Sequence, residues 1–109
     1  MSRILYTQEA LEDLQTIKTR IIDNFCDEEL AVKSLRKLMQ QIQGIADFPH
    51  MGMELSKIIG ISSDYYYLFR KPNYIFYRVE DDTIRIIHIL NERQDYMRIL
   101  FGISEASDE

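Results

Sequence analysis

Cysteine, proline, glycine and histidine are all scarce in this chain of 109 residues, with one Cys, two Pro, four Gly and two His. A single thiol, Cys26, cannot close an internal disulfide, and without a second Cys or a nearby His cluster it offers no metal-site spacing. It reads as a buried, inert thiol in a reducing compartment, and no metal or other cofactor is expected. Few Pro and Gly, together with 46% apolar and 28% charged residues, exclude a disordered or fibrous chain and leave a globular one able to bury a core. No apolar run approaches the roughly 20 residues of a membrane span. The opening Met1-Ser2-Arg3-Ile4-Leu5-Tyr6 lacks the long apolar stretch and small-residue cleavage site of a signal peptide. The expectation is a cytoplasmic protein with no membrane contact, folded as one domain over residues 1–103, with an acidic frayed tail over 104–109.

Positive charge is also in deficit. The net charge of −5 argues against a surface that grips phosphate backbones everywhere. The balance is uneven, since residues 65–103 carry six bases and five acids while the remainder is strongly acidic. A local basic patch in the C-terminal half is compatible with this, as is an ordinary solvated surface.

What is present is well-spaced apolar pattern. Arg3-Ile4-Leu5-Tyr6 reads as a short strand halted by Thr7, a good helix N-cap, with Glu9 near the positive end of the following helix. Ala10, Leu14, Ile17, Ile21 and Phe25 recur at steps of three and four and predict an amphipathic helix over about 8–25, with Asp13 and Arg20 off its apolar stripe. Acidic Asp27, Glu28 and Glu29 start a second helix over about 28–46, which Pro49 stops. The short connection makes the two an antiparallel hairpin joined near Cys26. Phe48 to Met53 reads as a loop. Beyond Asp64 the composition turns to Tyr, Phe and Ile, and three strands are predicted at 65–69, 74–79 and 83–90, linked by short turns at Lys71-Pro72-Asn73 and Asp81-Asp82. Unbroken alternation would put Ile75, Tyr77 and Val79 on one face with Ile84, Ile86 and His88, and Tyr74, Phe76 and Arg78 on the other with Arg85, Ile87 and Ile89. Both faces are rich in large apolar groups, so the helices should cover one and leave the other as an apolar patch that needs a partner. Asp95 caps a short last helix. The fold class is α+β: a helical hairpin on one face of a small, mainly antiparallel four-stranded sheet, with a short C-terminal helix.

Several passages resemble the RelE/ParE toxin superfamily, its ParE-like branch in particular. They are Ala10-Leu11-Glu12-Asp13-Leu14, then Ile45-Ala46-Asp47-Phe48-Pro49 with Met51-Gly52, then the hairpin Asn73 to Ile86, and the closing Asn91-Glu92-Arg93-Gln94-Asp95-Tyr96. The resemblance spans nearly the whole chain and implies two helices packed on one face of a small sheet. It further implies the toxin of a bacterial type II toxin–antitoxin pair, held inactive by a cognate antitoxin. RelE-like members cut messenger RNA on the ribosome, whereas ParE-like members block DNA gyrase.

The residues bear on that division. RNA cleavage needs a base for the ribose 2′-hydroxyl, positive charge at the phosphate and an acid for the leaving oxygen. Where RelE-like members resemble one another in basic first-strand residues, this chain has Tyr66 and Leu68, and the Arg of the next strand falls on Tyr74 or Ile75. Arg93 matches the first Arg of the closing motif, Gln94 stands where a second Arg is common, and Tyr96 follows. The departures favour a ParE-like toxin acting by protein binding, with gyrase as the implied target. Arg70, Lys71, Arg93, Arg98 and Tyr74 are then candidates for holding a target or a phosphate. The alternative is a metal-independent, ribosome-dependent endoribonuclease with Arg93 on the phosphate and Tyr96 or His88 moving protons; a non-toxic degenerate member is a third reading. Each residue has a plainer role open to it: His88 as a strand histidine, Arg93 as a sheet cap paired with Asp95 or Glu92, the tyrosines as packing. The oligomeric state is left open.

Overall fold

Thr7 joins the first strand to the first helix in the computed structural model, which describes residues 2–102. The expected tail over 104–109 therefore lies outside the described residues. Strand β1 (Arg3–Tyr6) leads into α1 (Gln8–Phe25). The Thr7 hydroxyl accepts from the Ala10 amide at 3.1 Å and donates to the Ile87 carbonyl at 2.9 Å, so the N-cap also fastens the helix start to the sheet. The Asp27 carboxylate accepts from the Leu30 amide at 3.0 Å and opens α2 (Glu28–Gln43). A 3₁₀ turn (Gly44–Ala46) carries the chain to the expected end of the second helix. Ala10, Leu14 and Ile17 of α1 and Ala31, Leu38 and Ile42 of α2 are buried, as the three- and four-residue spacing requires.

Cys26 departs from expectation, being exposed rather than buried. It is the C-cap of α1, in the left-handed conformation at φ 51°, with its amide on the Ile22 carbonyl. The connection to α2 is only Cys26 and Asp27, and a residue reversing the chain at the hairpin tip has no core to enter.

The sheet has five strands in the order β1-β5-β4-β3-β2, with β2 (Met53–Glu54), β3 (Tyr66–Arg70), β4 (Asn73–Glu80) and β5 (Thr83–Asn91). This corrects the four-stranded expectation. The added strand, β2, is two exposed residues inside the proline loop, too short to show an alternating pattern. Strand β1 runs parallel to β5, pairing Arg3 to Tyr6 with Thr83 to Ile86, whereas β2/β3, β3/β4 and β4/β5 are antiparallel. Two short helices, α3 (Ser56–Ile59) and α4 (Tyr96–Phe101), complete the elements; α3 carried no expectation.

A β-bulge redistributes the faces of β5. Val79 pairs with Ile84 and Tyr77 with Ile86, but Phe76 pairs with His88, Ile75 with Ile89 and Tyr74 with Leu90, leaving Ile87 as the extra residue. Unbroken alternation thus fails beyond Ile86. Ile89 joins the helix-side core with Ile75, Tyr77, Ile84, Ile86 and Leu68, against Leu14, Ile17, Leu38 and Ile42. The opposite face is not left open as expected: Phe76, Leu90 and Leu55 are at most 1% exposed, covered by Ile59 of α3 and by Tyr96, Ile99, Leu100 and Phe101 around α4. The chain seals the centre of that face itself. Exposed apolar side chains remain around it, among them Met53 of β2, Ile58 of α3 and Phe69 of β3.

The proline loop is clamped by one tyrosine. The hydroxyl of fully buried Tyr77 donates to the Pro49 carbonyl at 2.9 Å and accepts from the Gly52 amide at 3.0 Å. A Cβ at Gly52 would lie 2.6 Å from both the Tyr67 carbonyl oxygen and the Tyr77 hydroxyl, so this close approach requires glycine. Tyr66 stacks on Tyr77 with ring centroids 5.5 Å apart, and its hydroxyl meets His50 Nδ1 at 3.0 Å.

Candidate functional site

The closing segment folds on its own hydrogen bonds. Gln94 Oε1 accepts from the Asn91 amide at 2.7 Å, Asn91 Oδ1 accepts from the Arg93 amide at 2.9 Å, and the Glu92 amide donates to the Pro72 carbonyl at 2.8 Å. Gln94 thus has a structural task, which a second arginine would not perform in the same way because it has no acceptor. Asp95 Oδ1 then caps α4 by accepting from the Arg98 amide at 3.3 Å.

That helix carries Tyr96 onto the aromatic face, 5.3 Å from the Phe76 ring and 5.8 Å from Tyr74. Tyr74 also lies 4.8 Å from Phe69 and 5.6 Å from Tyr67. Such offset and edge contacts are the preferred aromatic geometries. Burial, reinforced by Tyr74 and Tyr67, raises the Tyr96 hydroxyl above the ordinary tyrosine range, which makes it a poorer proton donor. Arg98 is exposed on the same helix and reaches Asp95 at 3.9 Å.

Arg70, Lys71 and Arg93 gather at a different place, the end of the sheet where the β3–β4 turn meets the helical hairpin. Arg70 and Lys71 line a groove of about 360 Å³ with Arg20 of α1 and Lys37 of α2. Arg93 sits in the adjoining recess, which shares Arg20, Pro72 and Asn91 with the groove. Lys71 pairs with Glu92 at 3.6 Å; among the described residues no carboxylate lies within 4.0 Å of the side-chain nitrogens of Arg20, Lys37, Arg70 or Arg93. Arg20 and Lys37 escaped the sequence reading because helical periodicity marks them only as polar. Their positions beside Ile21 and Leu38, at the border of each apolar stripe, were the available signal.

His88 belongs to neither group. Its Nδ1 meets Asp13 Oδ2 at 2.7 Å, and the same oxygen accepts from the Ile89 amide at 2.9 Å. The bulge interrupts the ladder at this point, and a carboxylate from α1 supplies the missing acceptor. The imidazole is therefore held toward α1, while Tyr96 lies across the sheet with α4. Of the residues weighed for proton transfer and phosphate binding, the structure joins Arg93 to Arg70 and Lys71, and separates them from His88. Among the described residues no three His, Cys, Asp or Glu side chains converge to hold a metal ion.

A second charged cluster crosses the β4–β5 hairpin. Arg78 and Arg85 are direct cross-strand partners, a repulsive pairing by itself. Glu80 accepts from Arg85 Nε at 2.9 Å and lies 3.2 Å from Arg78 Nη2. The Arg85 hydrogen bond, with the charge of both arginines, holds the Glu80 carboxyl below its ordinary range. Glu80, with Asp64 3.9 Å from Arg78 Nη1, offsets the repulsion between the two arginines.

Strand order, the helical hairpin and the closing segment together match a known family. Residues 4–96 fit the model of the ParE toxin of type II toxin–antitoxin systems. The chain belongs to the ParE toxin family. Among solved structures it is similar to a chain of the chromosomal ParDE toxin–antitoxin system from P. aeruginosa, with a TM-score of 0.68 and 20% identity over 84% of this chain and 96% of that one. At that identity the likeness speaks for the shared fold. No curated protein matches the sequence. This ParE-family chain is thus a type II toxin by its family. Within the described residues, no helix is long and apolar enough to cross a membrane.

Proposed function

We propose that this ParE-family toxin acts by binding a protein target, with DNA gyrase as the candidate, and that a cognate antitoxin neutralises it. The observation that carries this reading is the chemistry of the sheet where a RelE-like nuclease would place its bases. Tyr66 is stacked on Tyr77 and bonded to His50, Leu68 and Ile75 are core, and Tyr74 is enclosed by aromatic rings. Acid–base chemistry needs titratable groups facing a common reactant, and these positions carry no Lys or Arg and are divided between the helix-side core and the aromatic face. The binding surface assigned to the target comprises Tyr74, Tyr96 and Arg98 around α4, extended by Arg70, Lys71 and Arg93 at the sheet end. Tyr and Arg are the side chains that anchor protein interfaces. The antitoxin is assigned to the exposed helical hairpin, whose Val32 and Met39 are exposed apolar groups, and to the apolar rim beside β2.

The deciding experiment adds purified chain to a gyrase supercoiling reaction and, separately, to translating ribosomes with a defined message. Inhibited supercoiling with an intact message supports the proposal. Cleaved message with unaffected supercoiling overturns it in favour of the endoribonuclease, for which the convergence of Arg93 with Arg70 and Lys71 is the one favourable feature. Neither effect, with the antitoxin still bound, indicates the non-toxic member.

A further inference from the structure

The groove between the helical hairpin and the β3–β4 turn has a composition that selects a ligand class. Its cations are Arg20, Lys37, Arg70 and Lys71, the last paired with Glu92 of the adjoining recess, and among the described residues no Asp or Glu lines the groove itself. The chain carries a net charge of −5, so this collection runs against its overall balance. Ile17, Ile21, Leu38 and Pro72 give the groove an apolar lining. The spacing of Ile17, Arg20 and Ile21 on α1, and of Ser34, Lys37, Leu38 and Gln41 on α2, puts cation and aliphatic groups on the same helix faces.

We propose that this groove binds a short acidic peptide segment of a partner protein, one that carries aliphatic side chains between its carboxylates. The proposal deepens the recognition role given above to Arg70 and Lys71 and rests on that reading. Carboxylates suit the guanidinium forks of Arg20 and Arg70, and aliphatic side chains suit Ile21 and Leu38. A nucleic acid fits less well. No aromatic side chain lines the groove, so bases have no stacking platform. A short peptide also keeps its charge within reach of the four cations.

The test is fluorescence anisotropy on the full chain at low ionic strength with three labelled probes: a short peptide alternating Glu with Leu, the same peptide with Gln for each Glu, and a single-stranded RNA oligonucleotide. The Glu–Leu peptide should bind at least roughly tenfold more tightly than the other two. Lys37→Glu and Arg70→Glu should each weaken it severalfold, and together roughly tenfold or more, while Arg3→Glu, which lies beside Thr83 at the opposite end of the sheet, leaves it unchanged. Melting temperatures within experimental error of the parent show that the variants fold; Arg20→Gln, without charge reversal, serves if one does not. Equal binding of the Glu and Gln peptides, tighter binding of RNA, no binding of any probe, or indifference to both charge reversals overturns the proposal. Because the readout is peptide binding, it stands apart from growth arrest: groove variants that lose the peptide yet still arrest growth count against the target assignment, not against this site.

Discussion

Replacing Tyr77 by Phe removes a single oxygen atom and tests whether the proline loop is held in the way described. The ring is fully buried and sandwiched in the core, so Phe preserves its packing. What disappears is the hydroxyl that donates to the Pro49 carbonyl and accepts from the Gly52 amide. Each such bond contributes about 0.5–1.5 kcal/mol net, and more where the abandoned partner stays buried. Pro49 and Gly52 are half-buried, so water recovers part of the loss and the expected cost is about 2 kcal/mol. With an unfolding entropy of about 2.1 cal/mol/K per residue, a chain of 109 residues should then melt about 9 °C lower. Thermal unfolding followed by circular dichroism gives the shift, and urea unfolding gives the free energy independently. Gly52→Ala should also destabilise, because its Cβ meets a backbone oxygen at 2.6 Å. The double variant should lose less than the two singles combined, since both disrupt one clamp. A Tyr77→Phe melting point within about 2 °C of the parent, or strict additivity with Gly52→Ala, refutes the reasoning.

Asp13→Ala should cost about 1–3 kcal/mol, because it strips an acceptor from both His88 and the Ile89 amide at the bulge; hydrogen exchange at Ile89 should rise with it. Glu80 has a folded-state affinity for its proton lowered from the ordinary 4.5 by Arg85 and Arg78. Its contribution is therefore complete above about pH 4.5 and lost as pH falls through the depressed value, so Glu80→Gln should flatten the acid limb of a stability–pH curve while the parent keeps its slope. Tyr96→Ala removes the aromatic anchor of a six-residue helix; proteolysis should then begin near α4, and growth arrest on expression should weaken. Cys26 should react with a thiol reagent in the folded protein at close to the rate seen in denaturant, since it is exposed at the hairpin tip.

The helical hairpin was legible because its information is local. Thr7 and Asp27 cap where their side chains predict, and the apolar steps of α1 and α2 name their buried residues. Strands β3, β4 and β5 were legible to within a residue or two for the same reason. Among the features that were not, three depend on contacts remote in sequence. The bulge at Ile87 depends on a carboxylate 75 residues away in sequence, at Asp13, and no window around β5 contains that fact. Strand β2 exists because Tyr77 and Gly52 position the loop that carries it, not because Met53 and Glu54 favour extension. The basic groove assembles Arg20, Lys37, Arg70 and Lys71 from three separate elements, so the sequence discloses Arg70 and Lys71 as a pair and hides the two helical cations.

The parallel pairing of β1 with β5 brings Thr7 beside Ile87, 80 positions further along the chain. Contacts so distant in sequence close late in folding, since the intervening loop entropy must be met first. During synthesis the first strand waits, unpaired, until the β4–β5 hairpin has left the ribosome. A prematurely terminated copy ending before Thr83 cannot complete this fold, so translation must reach the last hairpin before the toxin can exist in its finished form.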